Sequence, residues 1–164
     1  MPDLMDNIME LDEDTMKGKY LIFTLDKEEY GIEIKYVIEI IGIQKITEVP
    51  ELSDYVRGVI NLRGKIIPVM DVRLRFKKPQ IEYDDRTCII VIDIEDISIG
   101  LIVDRVSEVV NIPEEQVAPP PQFNKSNHNK YIKGIGKVEN SVKLLLDCDK
   151  LLNDQDMEVL ADMN

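Results

Sequence analysis

Residues 20–31 read YLIFTLDKEEYG, and residues 89–100 read IIVIDIEDISIG. Each is an apolar run, an acidic turn and a short return to glycine. The chain then continues in step, with IEIKYVIEII after Gly31 and LIVDRVSEVV after Gly100. At this constant offset of 69, Val37 matches Val106, Glu39 matches Glu108, and Ile40-Ile41 match Val109-Val110. A second block, YVRGVINLRGKIIPVMD at 55–71, aligns at an offset of 76 with YIKGIGKVENSVKLLLD at 131–147. Tyr55/Tyr131, Gly58/Gly134 and Asp71/Asp147 coincide there. The order A-B-A′-B′ describes one unit of about 70 residues present twice.

Most of each copy reads as strand. LIFTLD, CIIVIDI, GKIIPVMDV and VKLLLD are short runs rich in Ile and Val, bounded by turn-forming residues, and β-branched side chains suit a pleated surface. Asp26-Lys27-Glu28-Glu29 joins two such runs as a hairpin loop. Pro68 marks an edge or bulged strand, since proline donates nothing to a ladder. Ile34, Val37, Ile38 and Ile41 recur at helical spacing and predict a short helix, repeated weakly in DRVSEVV. Asn153 or Asp154 can cap a final short helix. Strands of this length in two copies point to two small barrels or sandwiches, each too small to stand without sharing an apolar interface with the other.

The charge of −12 is unevenly spread. Residues 1–16 carry six acids and residues 153–164 four, without a base, leaving 22 acids against 20 bases in 17–152. The expected organisation is an acidic mobile tail (1–16), a two-lobed body (17–152) and a C-terminal helix or tail (153–164). The start has no basic and apolar signal segment, and no run is long enough to span a bilayer, so a cytoplasmic protein without direct membrane insertion is expected. General nucleic-acid binding needs a net basic surface that this composition lacks. Cys88 and Cys148 lie in separate apolar runs and read as reduced core thiols.

A catalytic centre is hard to assemble from these residues. His128, the one histidine, sits in the polar run NKSNHNK, and without a second histidine or clustered cysteines neither a metal site nor a cofactor is expected. GVINLRGK (58–65) fails as a phosphate loop: five residues separate its glycines, and Ile66 follows the lysine. The expectation is a binding protein and not an enzyme.

What differs between the copies points to where binding occurs. Asn61-Leu62-Arg63-Gly64 is replaced by Lys137-Val138-Glu139-Asn140, which inverts the charge at Arg63. Arg57, Arg63, Lys65, Arg73, Arg75, Lys77 and Lys78 face only Asp71 within 57–78, a basic island in an acidic chain. Arginine is favoured at binding hot spots. A single-stranded nucleic-acid barrel is the alternative, but it would need stacking aromatics, and only Phe76 is available within the island.

EEYGIEIKYVIEI, RGVINLRGKIIPVMDVRLRF and IGLIVDRVSEVV together resemble the CheW family of bacterial chemotaxis coupling proteins, over residues 18–152. The resemblance implies a mainly β fold of two intertwined, five-stranded SH3-like β-barrels with one or two short helices. It implies two partners, the regulatory domain of the histidine kinase CheA and the cytoplasmic tips of methyl-accepting chemoreceptors, and recruitment to membrane-anchored receptor arrays. It places receptor binding at Val37, Glu39, Gly58, Asn61 and Arg63, with Ile38 added by adjacency. Kinase binding is assigned to Ile46, Asp84 and Gly100, although Gly31, as twin of Gly100, argues for a structural role there.

Overall fold

The computed structural model describes residues 16–120, 130–151, 159 and 162. His128, most of both acidic tails and most of the proposed final helix lie outside these residues. The elements run in the order β1 (Lys19–Leu25), β2 (Glu28–Glu33), β3 (Val37–Gly42), β4 (Val56–Leu62), β5 (Lys65–Asp71), α1 (Val72–Arg75), β6 (Cys88–Ile94), β7 (Ile97–Val103), β8 (Arg105–Asn111), β9 (Val117–Ala118), β10 (Ile132–Val138) and β11 (Ser141–Leu146).

Two sheets hold these strands, with orders β8-β1-β2-β11-β10-β9 and β3-β6-β7-β5-β4. Translated through the sequence repeat, the two orders are the same order with the copies exchanged. The hairpin β1–β2 of the first copy completes β8, β10 and β11 of the second, and the hairpin β6–β7 of the second completes β3, β4 and β5 of the first. The described residues accordingly divide into two compact units, one made of 16–36, 106–120 and 130–150, the other of 37–105 with 151, 159 and 162.

The equivalence reaches individual residues. Val69 pairs with Gly100 in one parallel ladder, and Leu145 pairs with Gly31 in the other. Bulges fall between Val56 and Gly58 and between Ile132 and Gly134. The Asp71 N–H donates to the Tyr55 carbonyl at 2.7 Å, as the Asp147 N–H does to that of Tyr131 at 2.8 Å. Gly31 and Gly100 are both forced: a Cβ on Gly31 would come within 2.9 Å of Leu145, and one on Gly100 within 2.7 Å of Ile89.

Each unit has its own apolar centre. Ile60, Ile67, Val69, Ile89, Val91 and Ile102 form that of the second unit, and Tyr20, Ile22, Ile112 and Leu145 that of the first. The segment after β3 crosses to β4, where Thr47 and Val59 exchange both backbone hydrogen bonds at 2.9 Å. This strap joins the two outer strands of the five-stranded sheet, and β9 on β10 is its twin in the other unit. The two-residue strap β9 is what makes the other sheet six-stranded.

Three local expectations change. The helix expected from Ile34 shrinks to a single 3-10 turn, Ile34–Tyr36, and Val37–Gly42 is strand. The spacing favoured helix, and the β-branched content together with the ladder to β6 overrode it. DRVSEVV is likewise strand, within β8. Pro68 lies in an interior strand. Val59, its partner, turns its polar groups towards Thr47, and the ladder to β7 begins only at Val69, so no hydrogen bond is lost.

Candidate protein-interaction site

Two local irregularities build the site in the second unit. In the first, β3 enters with a bulge against β6: Val37 pairs with Ile92, and Glu39 with Val91. The extra residue is Ile38. Val37 points inward at 9% exposure while Ile38 is turned out at 44%, an ordinary use of a bulge to re-aim a side chain.

The second is the hairpin β4–β5. Leu62 pairs with Lys65, leaving the two-residue loop Arg63-Gly64. Both have positive φ, 53° and 87°, the type I′ geometry that matches strand twist. Asn61 sets the turn, its Oδ1 accepting the Gly64 N–H at 2.8 Å. Gly58, buried in the bulge of β4, has φ 142°, and a Cβ there would lie 2.1 Å from the Thr47 carbonyl oxygen. Its place in the site is therefore to let the strap approach.

The two irregularities meet. The Arg63 guanidinium donates to Glu39 Oε1, in an ion pair whose arginine side chain is 72% exposed. The twin residues are Glu108 and Glu139, two acids that cannot form such a pair. With its arginine in solvent the pair contributes at most about 1 kcal/mol, so the guanidinium can be re-partnered at small cost.

The family model for the CheW-like domain matches residues 19–156. The chain belongs to the CheW family. It is 37% identical over 147 residues to the chemotaxis protein CheW of Klebsiella aerogenes, covering 90% of this chain and 89% of that one. It is 36% identical over 135 residues to that of Bacillus subtilis, covering 82% and 86%. The crystal structure of the scaffolding protein TtCheW from Thermoanaerobacter tengcongensis superposes with a TM-score of 0.78 at 34% identity, covering 85% of this chain and 94% of that one. Each unit is thus one SH3-like barrel of the CheW fold, built from strands of both sequence copies.

The remaining candidates within this CheW domain fall around the apolar centre of the second unit. Ile46 packs against it beside Tyr83, and the two share a cavity of about 240 Å³ with Gln44, Glu48 and Arg57. Asp84 follows in the chain and organises a turn, its Oδ1 accepting the Arg86 and Thr87 N–H groups at 2.8 and 3.2 Å. Gly100 is inside the sheet, under Ile89 and Val69; it has no side chain to offer and acts only through packing.

The basic island does not survive folding as one surface. Arg73 is 4% exposed, its guanidinium donating to Asp104 at 2.7 Å and to the Pro79 carbonyl at 2.9 Å. Arg75 lies over the Tyr55 ring and donates to the Leu151 carbonyl. Arg63 and Lys65 remain exposed at the hairpin tip. No continuous basic track with stacking aromatics results, which removes the nucleic-acid alternative's footing.

Sequence reading missed Ile66. It pairs with Asn61 across the hairpin and is 43% exposed. The signal was available: in Lys65-Ile66-Ile67 only one of two adjacent isoleucines can face a core, and Ile67 does so at 2% exposure.

Burial leaves the Cys148 thiol inert, pushing its pKa up to about 12. Among the described residues there is no group of three or more His, Cys, Asp or Glu placed to hold a metal, and no helix long and apolar enough to cross a membrane.

Proposed function

We propose that this chain is a non-catalytic chemotaxis adaptor. It couples the cytoplasmic tips of transmembrane chemoreceptors to the regulatory domain of the kinase CheA, and it acts in the cytoplasm, recruited to membrane-anchored receptor arrays. The observation that carries this reading is the contact between Glu39 and Arg63. It joins the two stretches of the first copy in which the resemblance to the family places receptor binding, and the second copy has no equivalent.

The receptor tip buries exposed apolar surface at Ile38 and Ile66, while Asn61, Glu39 and Arg63 form the polar rim. Because the Arg63 end of the pair is exposed, a receptor carboxylate reaches the guanidinium without a large desolvation cost. The kinase docks nearer Ile46 and Asp84. A receptor signal reaches the kinase only by changing the relative stability of arrangements that the adaptor contacts, which is a coupling of binding energies and involves no bond making. Individual contacts of about micromolar strength, near −8 kcal/mol, suffice once an array makes them multivalent.

Arg63→Glu tests the assignment, since it gives the first copy the acid pair of the second. Titrating a receptor-tip fragment and the CheA regulatory domain separately, we expect receptor affinity to fall at least about tenfold, or ~1.4 kcal/mol. CheA binding and the thermal midpoint should change little, as expected for an exposed turn residue. Unaltered receptor affinity would move the site elsewhere.

A further inference from the structure

We infer that this chain can form a dimer by exchanging its two sequence copies through the connector at residues 79–82. The inference starts from the strand order. Every sheet contains strands of both copies: β1 and β2 sit among β8 to β11, and β6 and β7 among β3 to β5. The ladders β3–β6, β5–β7 and β2–β11 all join one copy to the other. One complete partner for the first copy is therefore a second copy, and nothing in these ladders requires the two to share a chain. Their covalent tie is the segment between α1 and β6.

That segment is built like a hinge. Residues 79–82 are consecutive, exposed and without regular structure. Ahead of them Lys77 has φ 61°, a conformation that non-glycine residues adopt at a cost, and Pro79 stiffens the exit. Beyond them the chain is fixed again: the Tyr83 hydroxyl donates to Asp71 Oδ2 at 2.6 Å. In an exchanged dimer the Tyr83–Asp71 and Arg73–Asp104 contacts form between chains, and the native ladders are kept. Only the path of 79–82 differs, so closed monomer and exchanged dimer are separated by the connector and by concentration.

Residues 37–63, which hold the interaction site, all belong to the first copy. An exchanged dimer thus carries two complete sites on one particle. On the proposed adaptor reading it is a bivalent cross-linker, able to bridge two receptor tips.

Gly42→Cys makes the exchange visible. Gly42 pairs with the native Cys88 across the β3–β6 ladder. The neighbouring Ile43 N–H donates to the Thr87 carbonyl at 3.2 Å, so 42 and 88 form a non-hydrogen-bonded pair, with Cα atoms about 4.5 Å apart and within disulfide reach. A Cβ at Gly42 meets nothing within 4 Å. Oxidised monomer should close this disulfide within one chain. Dimer, populated by refolding at high protein concentration or by deleting Gln80 and Ile81, should close it between chains and run as a covalent dimer on a non-reducing denaturing gel. A folded monomer from the deletion, or a dimer that runs as single chains after oxidation, overturns the proposal. If the deletion prevents folding, the full-length Gly42→Cys refolding decides alone, and absence of cross-linked dimer there also overturns it. Receptor-tip binding, two fragments per dimer, is a separate readout: its failure with the cross-link present would refute the adaptor reading and leave the exchange standing.

Discussion

The hairpin tips at Arg63-Gly64 and Glu139-Asn140 share a left-handed first residue and carry opposite chemistry on it. Arg63 sits at φ 53° and Glu139 at φ 54°, both in a region that non-glycine side chains enter at a cost. The strand registers on either side are equivalent as well. The fold therefore dictates the left-handed first position; positive φ extends to the second position only at Gly64, and the side chain placed on the first differs in charge. In the first copy that side chain reaches Glu39; in the second it would face the like charge of Glu108. On the proposed adaptor reading, duplication has separated what the barrel needs from what the partner needs.

The largest expected asymmetry is at the paired glycines of the bulges. A Cβ at Gly58 would lie 2.1 Å from the Thr47 carbonyl oxygen, on a backbone at φ 142°. At Gly134 it would instead meet the Val117 Cγ1 methyl at 2.6 Å, and the backbone there has no left-handed φ. A half-buried side chain can shift, whereas a strap held by two backbone hydrogen bonds cannot. Gly58→Ala should cost about 3 kcal/mol and Gly134→Ala about 1 kcal/mol, read by urea or thermal unfolding. Equal losses would mean that the two straps are equally yielding.

These glycines also mark how far sequence reading reaches. The repeat, the strand-rich character and the Asn61–Gly64 turn are legible, because apolar runs and turn residues act locally. The exchange of hairpins between copies is not, since both the exchanged and the unexchanged pairing satisfy the same alternation pattern. Val37–Gly42 reads as helix on the spacing of Ile34, Val37, Ile38 and Ile41, and is strand because it pairs with β6. The fate of Arg73 and Arg75 is equally hidden: the partners that bury them, Asp104 and the Leu151 carbonyl, are remote in sequence. The meeting of Glu39 with Arg63 depends on the strap that brings β4 round to β3, which no local pattern reports.

A second asymmetry lies inside the barrels. Lys143 is 4% exposed, with its amine 2.6 Å from Glu29 Oε2. The twin positions hold Ile67 and Ser98, and there Ser98 instead accepts from Lys65 at 3.0 Å. Glu29→Ser alone strands a buried ammonium and should destabilise by about 2 to 3 kcal/mol. Adding Lys143→Ile restores the apolar arrangement of the other unit, and the double variant should return to within about 1 kcal/mol of the parent or exceed it. If the double variant is as unstable as the single one, the two barrels are not interchangeable at this position.

The smallest effect separates stability from function most cleanly. Glycine has no Cβ to clash at φ near 53°, which favours it at the first loop position of a type I′ turn. It also loses more chain entropy on folding, so the two effects partly offset. Arg63→Gly and Glu139→Gly should each raise stability by about 0.5 kcal/mol, because the two positions hold nearly the same φ, 53° and 54°. In the first copy a further small term opposes the gain, the lost Glu39 contact, which is exposed and weak. Receptor-tip affinity should then split the pair: Arg63→Gly loses it while becoming no less stable, and Glu139→Gly leaves it intact. A stabilised Arg63→Gly variant that still binds would show that the turn's shape, and not its guanidinium, is what the partner recognises.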